Sequence, residues 1–235
     1  MARVRRFWMP IGLGAALVIA GLVFAATWAG FQPKHIVVVG NHRVTRHEIV
    51  VRAAILRHET IWLQNTGAIA KRIEAIPFVD TASVHRIPPA TIEIAIAERT
   101  PFAILVSGSE SGLADHALRV LDAAPADARL PMLVLEPGLE LVPGAFVKTR
   151  DAVALRAAYD ALNAAQIVPA QIALDRYGGI VVTLSDGLRL LLGTPADLAQ
   201  KLALVNPILS QVVGRQRRVA ALDLRAPATP VIVYR

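Results

Sequence analysis

The longest apolar stretch of the chain runs without a charged residue from position 9 to position 29. Its length is close to the ~20 residues that a helix needs to cross a ~30 Å hydrocarbon core. Three arginines lie within the first six residues, and Trp8 and Trp28 stand where indole rings favour a membrane interface. The pattern predicts a transmembrane helix over residues 9–29, with residues 1–8 as a cytoplasmic tail and the rest of the chain outside the cytoplasm.

A cleaved signal peptide is the alternative interpretation of this segment. Such a peptide carries an apolar stretch of typically ~7–15 residues and ends at a site with small side chains. The stretch here is longer, and Thr27-Trp28-Ala29 is a poor site of this kind. We therefore expect an uncleaved anchor.

Residues 33–101 combine helical and strand periods in one segment. Apolar residues recur at helical spacing in two stretches, and the first of these opens with a capping box at Thr45 and Glu48. The predicted elements are a strand at 35–39, a helix from 45 with Ile49, Ala53 and Leu56 on one face, a helix from 65 with Ile69, Ile73 and Ile76, and strands at 79–86 and 91–98. Two short helices on one face of a three-stranded sheet make an α+β module in the order β-α-α-β-β.

Residues 102–235 predict a mostly antiparallel β domain with flanking helices. Short apolar strands are separated by turns rich in glycine, proline and aspartate. The three strands at 172–176, 180–184 and 188–192 are joined by short turns, as in an antiparallel meander. One helix is expected from Asp151 to about Ala165, and another begins at Thr194 and runs to about Ser210. The predicted strands are 102–106, 118–121, 132–135, 172–176, 180–184, 188–192, 219–225 and 231–234. The fold class of the whole chain is therefore α+β.

Composition excludes several classes of function. The 235 residues include no cysteine, which rules out disulfides, thiolate metal sites and cysteine nucleophiles. The formal net charge is +7, but the basic residues are scattered and do not form the basic, aromatic-rich patch of a nucleic-acid surface. We expect no nucleic-acid partner and a weak attraction to anionic lipid head groups.

Candidate chemistry is sparse. His42, His47 and Glu48 cluster near one turn, but their spacing matches no known metal-ligand pattern. The serines of residues 107–112 alternate with glycine and glutamate in a loop, which is not the strand-to-helix context of a nucleophile elbow. No paired carboxylates at acid/base spacing are recognisable. We expect no metal, no cofactor and no catalytic residue, so the chain is predicted not to be an enzyme.

Short motifs recur in a characteristic order along both modules. Those of residues 33–101 are Val39-Gly40-Asn41, Glu48-Ile49, Ile76-Pro77-Phe78-Val79, Ala82 to Arg86, Thr91 to Ile94, and Glu98 to Ala103. Those of residues 102–235 are Leu113 to Asp115, Leu130-Pro131, Thr183 to Gly193, and Asp223-Leu224-Arg225. The ordered set resembles the FtsQ/DivIB family of bacterial cell-division proteins. Ile87 departs from it, since a tryptophan is usual there, and Ala226, Pro227 and Pro230 alter the turn before the last strand.

The resemblance implies an architecture and a function. The architecture is a short cytoplasmic tail, one membrane helix, a POTRA domain at 33–101 and an FtsQ-type β domain at 102–235. The function is that of a divisome scaffold, which binds the FtsB and FtsL pair outside the cytoplasm and links early division proteins to the septal peptidoglycan synthase. The expected location is the inner (plasma) membrane at the division septum, in a single-pass arrangement with the N-terminus cytoplasmic and the C-terminal domains periplasmic or extracellular.

The last predicted strand is the candidate partner-binding site. A strand at a sheet edge exposes unpaired amides and carbonyls, and a partner chain can add a strand there. Val231, Ile232, Val233 and Tyr234 alternate faces, and Ile232 and Tyr234 can share one face as anchors. The resemblance adds Arg176, at a strand end where the family carries arginine for an acidic partner residue. The alternatives are plain core packing for the strand and a solvated side chain for the arginine.

Two other classes of protein stay open at this point. One is a POTRA-containing component of envelope assembly or secretion. The other is a membrane-anchored envelope hydrolase, which needs an acidic or nucleophilic constellation within residues 102–235. Midcell enrichment distinguishes the scaffold from uniform envelope staining with cell-wall hydrolysis.

Overall fold

The computed structural model describes residues 5–213 and 219–235. The chain divides between Arg99 and Thr100 into two compact units, here called the first and the second unit. Residues 1–4, half of the predicted cytoplasmic tail, lie outside the described residues.

The apolar stretch near the N-terminus forms helix α1 (Arg5–Thr27), and a short 3₁₀ turn follows at Ala29–Phe31. Where the side chains of α1 are described, large apolar ones such as Leu17 and Phe24 are exposed. Within the described residues, no helix combines the length and the apolar character that crossing a membrane requires. The transmembrane assignment of residues 9–29 stays a prediction.

The first unit contains three strands and two short helices in the predicted order. They are β1 (His35–Val39), α2 (Arg46–Ala53), α3 (Thr66–Glu74), β2 (Val79–Ile87) and β3 (Thr91–Glu98). The strand order is β1-β3-β2, with β1 parallel and β2 antiparallel to the central β3. The capping box is present, since the Thr45 hydroxyl accepts a hydrogen bond from the Glu48 amide at 3.2 Å. The α+β class predicted for this module is confirmed.

The core of the first unit lies between β3 and the two helices. Ile92 and Ile94 of β3 are completely buried, as are Ile49 of α2 and Ile73 of α3. This confirms the alternating pattern read from the sequence. The prediction for Leu56 was wrong. Ala54 adopts the left-handed conformation that ends α2, so Leu56 lies exposed in the following loop instead of on the buried helix face.

The turn after β1 is held by a carboxylate from the end of β3. Gly40 has a φ of +84°, and a Cβ there would lie 2.1 Å from the carbonyl oxygen of Ile96. Glu98 then accepts hydrogen bonds from the amides of His42 and Arg43 at 2.8 and 2.9 Å. Burial raises the pKa of Glu98, but the amides, that of Arg43 foremost, outweigh it and the net pKa is lowered. Two distant motif segments therefore meet at one structural turn.

The second unit is built on a nine-stranded sheet. Its strands are β4 (Pro101–Ser107), β5 (Glu110–Asp115), β6 (Val120–Ala123), β7 (Met132–Leu135), β8 (Pro169–Leu174), β9 (Ile180–Leu184), β10 (Arg189–Gly193), β11 (Val219–Asp223) and β12 (Val231–Tyr234). Its helices are α4 (Arg150–Ala164), α5 (Leu198–Ala203) and α6 (Val205–Val213). The strand order is β12-β11-β10-β9-β8-β7-β4-β5-β6.

Most neighbouring strands of this sheet run antiparallel, as predicted. The pairs β4–β7, β7–β8 and β10–β11 are parallel, which the sequence did not predict. Parallel neighbours need a crossover connection. Helix α4 crosses over between β7 and β8, and helices α5 and α6 do so between β10 and β11. The meander predicted for residues 172–192 is present as β8, β9 and β10, and β4, β5 and β6 form a second run of consecutive antiparallel strands.

Helix starts differ from their predicted positions for local reasons. Helix α4 is capped by Thr149, whose hydroxyl accepts from the Ala152 amide at 3.2 Å, and not by Asp151. The helix expected from Thr194 begins at Leu198, because Asp197 has a φ of +57° that a right-handed helix cannot contain. It is also split into α5 and α6, and Pro207 near the start of α6 lacks the amide that would bond back into α5.

Candidate protein-binding edge

The last strand of the chain forms one border of the nine-stranded sheet. β12 pairs antiparallel with β11, with Leu222 opposite Ile232 and Asp223 opposite Val231. Among the described residues, no strand pairs with the other side of β12. A border strand of this kind presents backbone N–H and C=O groups to another chain. We call this side of β12 the open edge.

The side chains of β12 alternate between two faces. Ile232 packs against the hydrophobic core of the second unit, and Tyr234 is partly buried. Val231 and Val233 lie on the other face and are 56% and 47% exposed. The sequence led us to expect Ile232 and Tyr234 as anchors for a partner. The exposure favours Val231 and Val233 as the side chains that a partner can reach.

Arg176 lies in the turn between β8 and β9, two residues beyond the strand in which it was predicted. Asp175 turns the chain there, since its carboxylate accepts from the amides of Gly179 and Tyr177, both at 2.8 Å. These two bonds lower the pKa of Asp175, and the charges of Arg225 and Arg176 lower it further. Arg176 is exposed, and its guanidinium lies 4.8 Å from the ring centroid of Tyr177.

Arg176 and the open edge lie at the same end of the sheet. The strand directions place three features together: the β8–β9 turn, the C-terminal end of β11, and Val231 at the start of β12. Three strands separate β8 from β12, so Arg176 is roughly 19 Å from the border at ~4.8 Å per strand. One partner can contact both places only if it spans several strands.

An ion pair fixes the chain where it leaves β11. The Asp223 carboxylate accepts from the Arg225 side chain at Nε and from the Arg225 amide, both at 3.0 Å. The side-chain bond lowers the pKa of Asp223, although burial opposes it. The Leu224 amide also donates to the Leu191 carbonyl of β10 at 2.9 Å. The turn of residues 226–230 therefore starts from a fixed point, and β12 returns along a defined path.

The sequence did not single out Asp223 and Arg225 as a structural clamp. They belong to the Asp-Leu-Arg motif, and the two-residue spacing of opposite charges after a strand was the available signal. The other end of β12 has a second contact. Nη2 of Arg235 donates to the Gly187 carbonyl in the β9–β10 turn at 3.3 Å.

A cleft of about 550 Å³ lies where the parallel strands β4, β7 and β8 end. Its lining includes the carboxylates of Glu136, Asp151 and Asp175, together with Arg176. In the part of the chain that the structure describes, no group of three or more His, Asp or Glu side chains is placed to hold a metal ion. The cleft thus presents charged groups of both signs.

Family models match both units. The POTRA domain of FtsQ type matches residues 31–99, and the C-terminal domain of cell division protein FtsQ/DivIB matches residues 103–225. Strand β12 lies beyond the second match.

Relatives named cell division protein FtsQ resemble the chain along most of its length. That of Bradyrhizobium diazoefficiens is 25% identical over 208 residues, which are 88% of this chain and 58% of the relative. That of Mycolicibacterium smegmatis is 28% identical over 220 residues, 92% of this chain and 64% of the relative. That of Novosphingobium aromaticivorans is 32% identical over 120 residues, 51% of this chain and 38% of the relative.

The chain therefore spans less than two thirds of the length of each of these relatives. The match to the C-terminal domain alone extends over more than half of the chain, and the POTRA match precedes it in the expected order. The chain belongs to the FtsQ/DivIB family of cell division proteins.

Proposed function

We propose that this chain is a non-catalytic scaffold of the division machinery, which holds other division proteins outside the cytoplasm at the septum. Its family supports a role in cell division. The partners that the resemblance implies are the FtsB and FtsL pair, with the septal peptidoglycan synthase complex as a further neighbour.

The open edge of β12 is the observation that carries this proposal. A partner segment adds a strand to β12, and its backbone pairs with the free side of residues 231–234. Its side chains meet Val231 and Val233, which are already exposed. Arg176, at the same end of the sheet, attracts an acidic residue on a partner long enough to reach it.

We also propose that α1 anchors the chain in the inner membrane, with residues 1–8 in the cytoplasm. The uncharged stretch from residue 9 to residue 29 and the three preceding arginines support this orientation. The exposed apolar side chains of α1, such as Leu17 and Phe24, leave a surface that lipid can cover.

Capture of the FtsB and FtsL pair by the full chain tests the binding site. Val231→Glu with Val233→Glu places charges on the face that a partner must cover, so we expect capture to be lost. Val153→Glu with Val168→Glu is the matched control, because both of these valines are exposed elsewhere in the second unit. Circular dichroism checks that each variant is folded. Equal capture by the two double variants would remove the open edge from the proposal.

Membrane extraction tests the anchor. The full chain should stay in the membrane pellet at alkaline pH, and an external protease should reach the region after residue 30 only from the periplasmic or extracellular side. Leu17→Arg, in the middle of α1, should release a large part of the chain because a charge near the bilayer centre costs roughly 2.5–3.5 kcal/mol. Release of the unaltered chain by alkali would rule the anchor out.

A further inference from the structure

The loop between α2 and α3 carries three large apolar side chains on its surface. Trp62 is 45% exposed and Leu63 is 57% exposed, and Leu56 in the same loop is also exposed. Neighbouring Ile61 is completely buried in the core of the first unit. We call Trp62 and Leu63 the apolar tip.

The apolar tip is held outward by a braced backbone. The buried Gln64 side chain donates from Nε2 to the Leu56 carbonyl at 2.6 Å, closing the loop on itself. Arg86 of β2 donates from Nε to the Ile61 carbonyl at 2.7 Å and from Nη2 to the Gln64 carbonyl at 2.6 Å. These bonds lie on both sides of the tip. The loop therefore has little freedom to fold Trp62 and Leu63 into the core.

The apolar tip lies beside the segment through which the chain leaves α1. The Ile61 amide donates to the Phe31 carbonyl at 2.8 Å. The Phe31 ring stands edge-on to Trp62 at 5.8 Å and to Trp28 at 5.5 Å, between centroids. Trp28 in turn stacks on Phe24 within α1 at 6.2 Å. A continuous row of aromatic rings thus connects the exposed surface of α1 to the tip.

We infer that the apolar tip inserts into the head-group layer of the membrane in which α1 is anchored, an inference that rests on the anchor proposed above. Trp62 is only two ring contacts from Trp28, which marks the outer end of the apolar stretch. The interfacial layer on each side of a bilayer is roughly 5–8 Å thick, and indole rings prefer it. Lys34, three residues after Phe31, and Arg57, in the same loop as the tip, are both exposed and suit lipid phosphates.

Lipid fits this surface better than a partner protein because the tip continues the exposed apolar surface of α1, which lipid covers in the proposed anchor. The first unit is then held at a fixed height on the membrane by two points, α1 and the tip. Its rotation about the end of α1 is limited by the ring contacts that join Trp28, Phe31 and Trp62.

Quenching of tryptophan fluorescence by brominated lipids tests the inference on the full chain. The chain contains three tryptophans, so Trp8→Phe with Trp28→Phe leaves Trp62 as the reporter. In vesicles of phosphatidylcholine and phosphatidylglycerol, lipids brominated at shallow acyl positions should reduce Trp62 emission by about twofold, and deep positions should reduce it less. Trp8→Phe with Trp62→Phe leaves Trp28 to report on the anchor.

A third variant supplies the matched control. Val39→Trp, in a background with all three native tryptophans changed to Phe, places an exposed indole at the far end of β1. It should not be quenched. Quenching of Trp28 without quenching of Trp62 would overturn the inference and leave the anchor intact, and it is the result expected if the tip binds a protein instead. Equal quenching of Trp62 and the indole at position 39 would also overturn it. Absence of Trp28 quenching would contradict the proposed membrane anchor itself.

Discussion

The two borders of the nine-stranded sheet are finished in different ways. At the β6 border the chain covers its own edge. The Gly144 amide donates to the Val120 carbonyl at 2.7 Å, and the Val120 amide donates to the Ala145 carbonyl at 2.9 Å. The guanidinium of Arg119 lies over the ring of Phe146 at 5.6 Å and closes the same border. At the β12 border, no described strand pairs with the outer side of β12.

The difference has a physical meaning. Natural sheets cover, shorten or charge their edges because an exposed edge pairs with foreign chains. The chain pairs β6 with its own residues but leaves β12 unpaired on one side, with Val231 and Val233 uncharged and exposed. An edge left open in a sheet that can close its other border is therefore the better candidate for a binding site.

The largest expected contrast is in stability. Leu121 of β6 is 2% exposed, so Leu121→Ala should lower the free energy of unfolding of the second unit by about 2–4 kcal/mol. Val233→Ala should lower it by less than about 0.5 kcal/mol, because nearly half of the Val233 surface already faces solvent. Urea titration followed by far-ultraviolet circular dichroism measures both. Similar losses would mean that the two borders are equally buried.

Hydrogen exchange sharpens the comparison at the backbone. If the FtsB and FtsL pair adds a strand as proposed, amide exchange within residues 231–234 should slow by roughly tenfold or more, since a partner strand supplies new acceptors. The amides of Val120 and Val147 already have acceptors within the chain and should keep their rates. Mass spectrometry of the complex and of the chain alone provides the measurement. Unchanged exchange at β12 in a formed complex would show that the partner binds elsewhere.

Charge reversal tests whether the end of the sheet near Val231 contributes to binding. Arg176→Glu should slow association with an acidic partner by roughly three- to tenfold at low salt, and the effect should shrink as salt is added. Arg189→Glu is the matched control, because Arg189 is exposed at the opposite end of β10. Stopped-flow or surface-based kinetics separates the two variants. If both variants slow association equally, Arg176 contributes only through the net charge of the chain and not through its position.

The smallest effect concerns the clamp before β12. The side-chain bond from Arg225 lowers the pKa of Asp223 in the folded chain, against the opposing effect of burial. The ordinary value is 3.8, so the stabilisation is present above pH 3.8 and is lost as the pH falls below it through the lowered pKa. Asp223→Asn should reduce stability near pH 7 by less than about 1 kcal/mol, since Arg225 is mostly solvated.

The pH dependence provides the control for that substitution. The parent carboxylate loses its charge only as the pH falls below 3.8 through its lowered pKa, so the stability difference between parent and variant should shrink progressively over that range. Urea titrations near pH 7 and at a series of pH values below 3.8 compare the two. A difference that persists in acid would mean that Asp223 acts through packing and not through its charge.

Elements with a strong local pattern were predicted accurately. The alternation of Ile92, Ile94 and Ile96 located β3 and its buried face, because a period of two is a property of the strand alone. Strand β5 (Glu110–Asp115) was missed, and its first three residues were interpreted as part of a loop. Its residues, ESGLAD, have no alternation, and β4 and β6 on either side supply the pairing that makes it a strand.

In the candidate binding site, too, some features could be predicted from the local sequence and others could not. The bounds of β12 could be predicted from four consecutive β-formers after a proline. Which of its faces is exposed could not, since Ile232 and Val233 are equally apolar and only the core beneath Ile232 distinguishes them. Likewise, nothing local to Arg176 showed that the strand would end before Asp175 and that Arg176 would lie in the following turn.

The sequence by itself determined the apolar N-terminal stretch, the two modules, the family and the position of the last strand, because these depend on composition, period and local motifs. Only the tertiary structure decided that β12 borders the sheet while β6 is covered, that three pairs of strands run parallel, and that Trp62 lies beside Phe31. These features depend on which distant segments meet. A free edge or an exposed face is defined by its neighbours, and the chain selects those neighbours only when it packs its core.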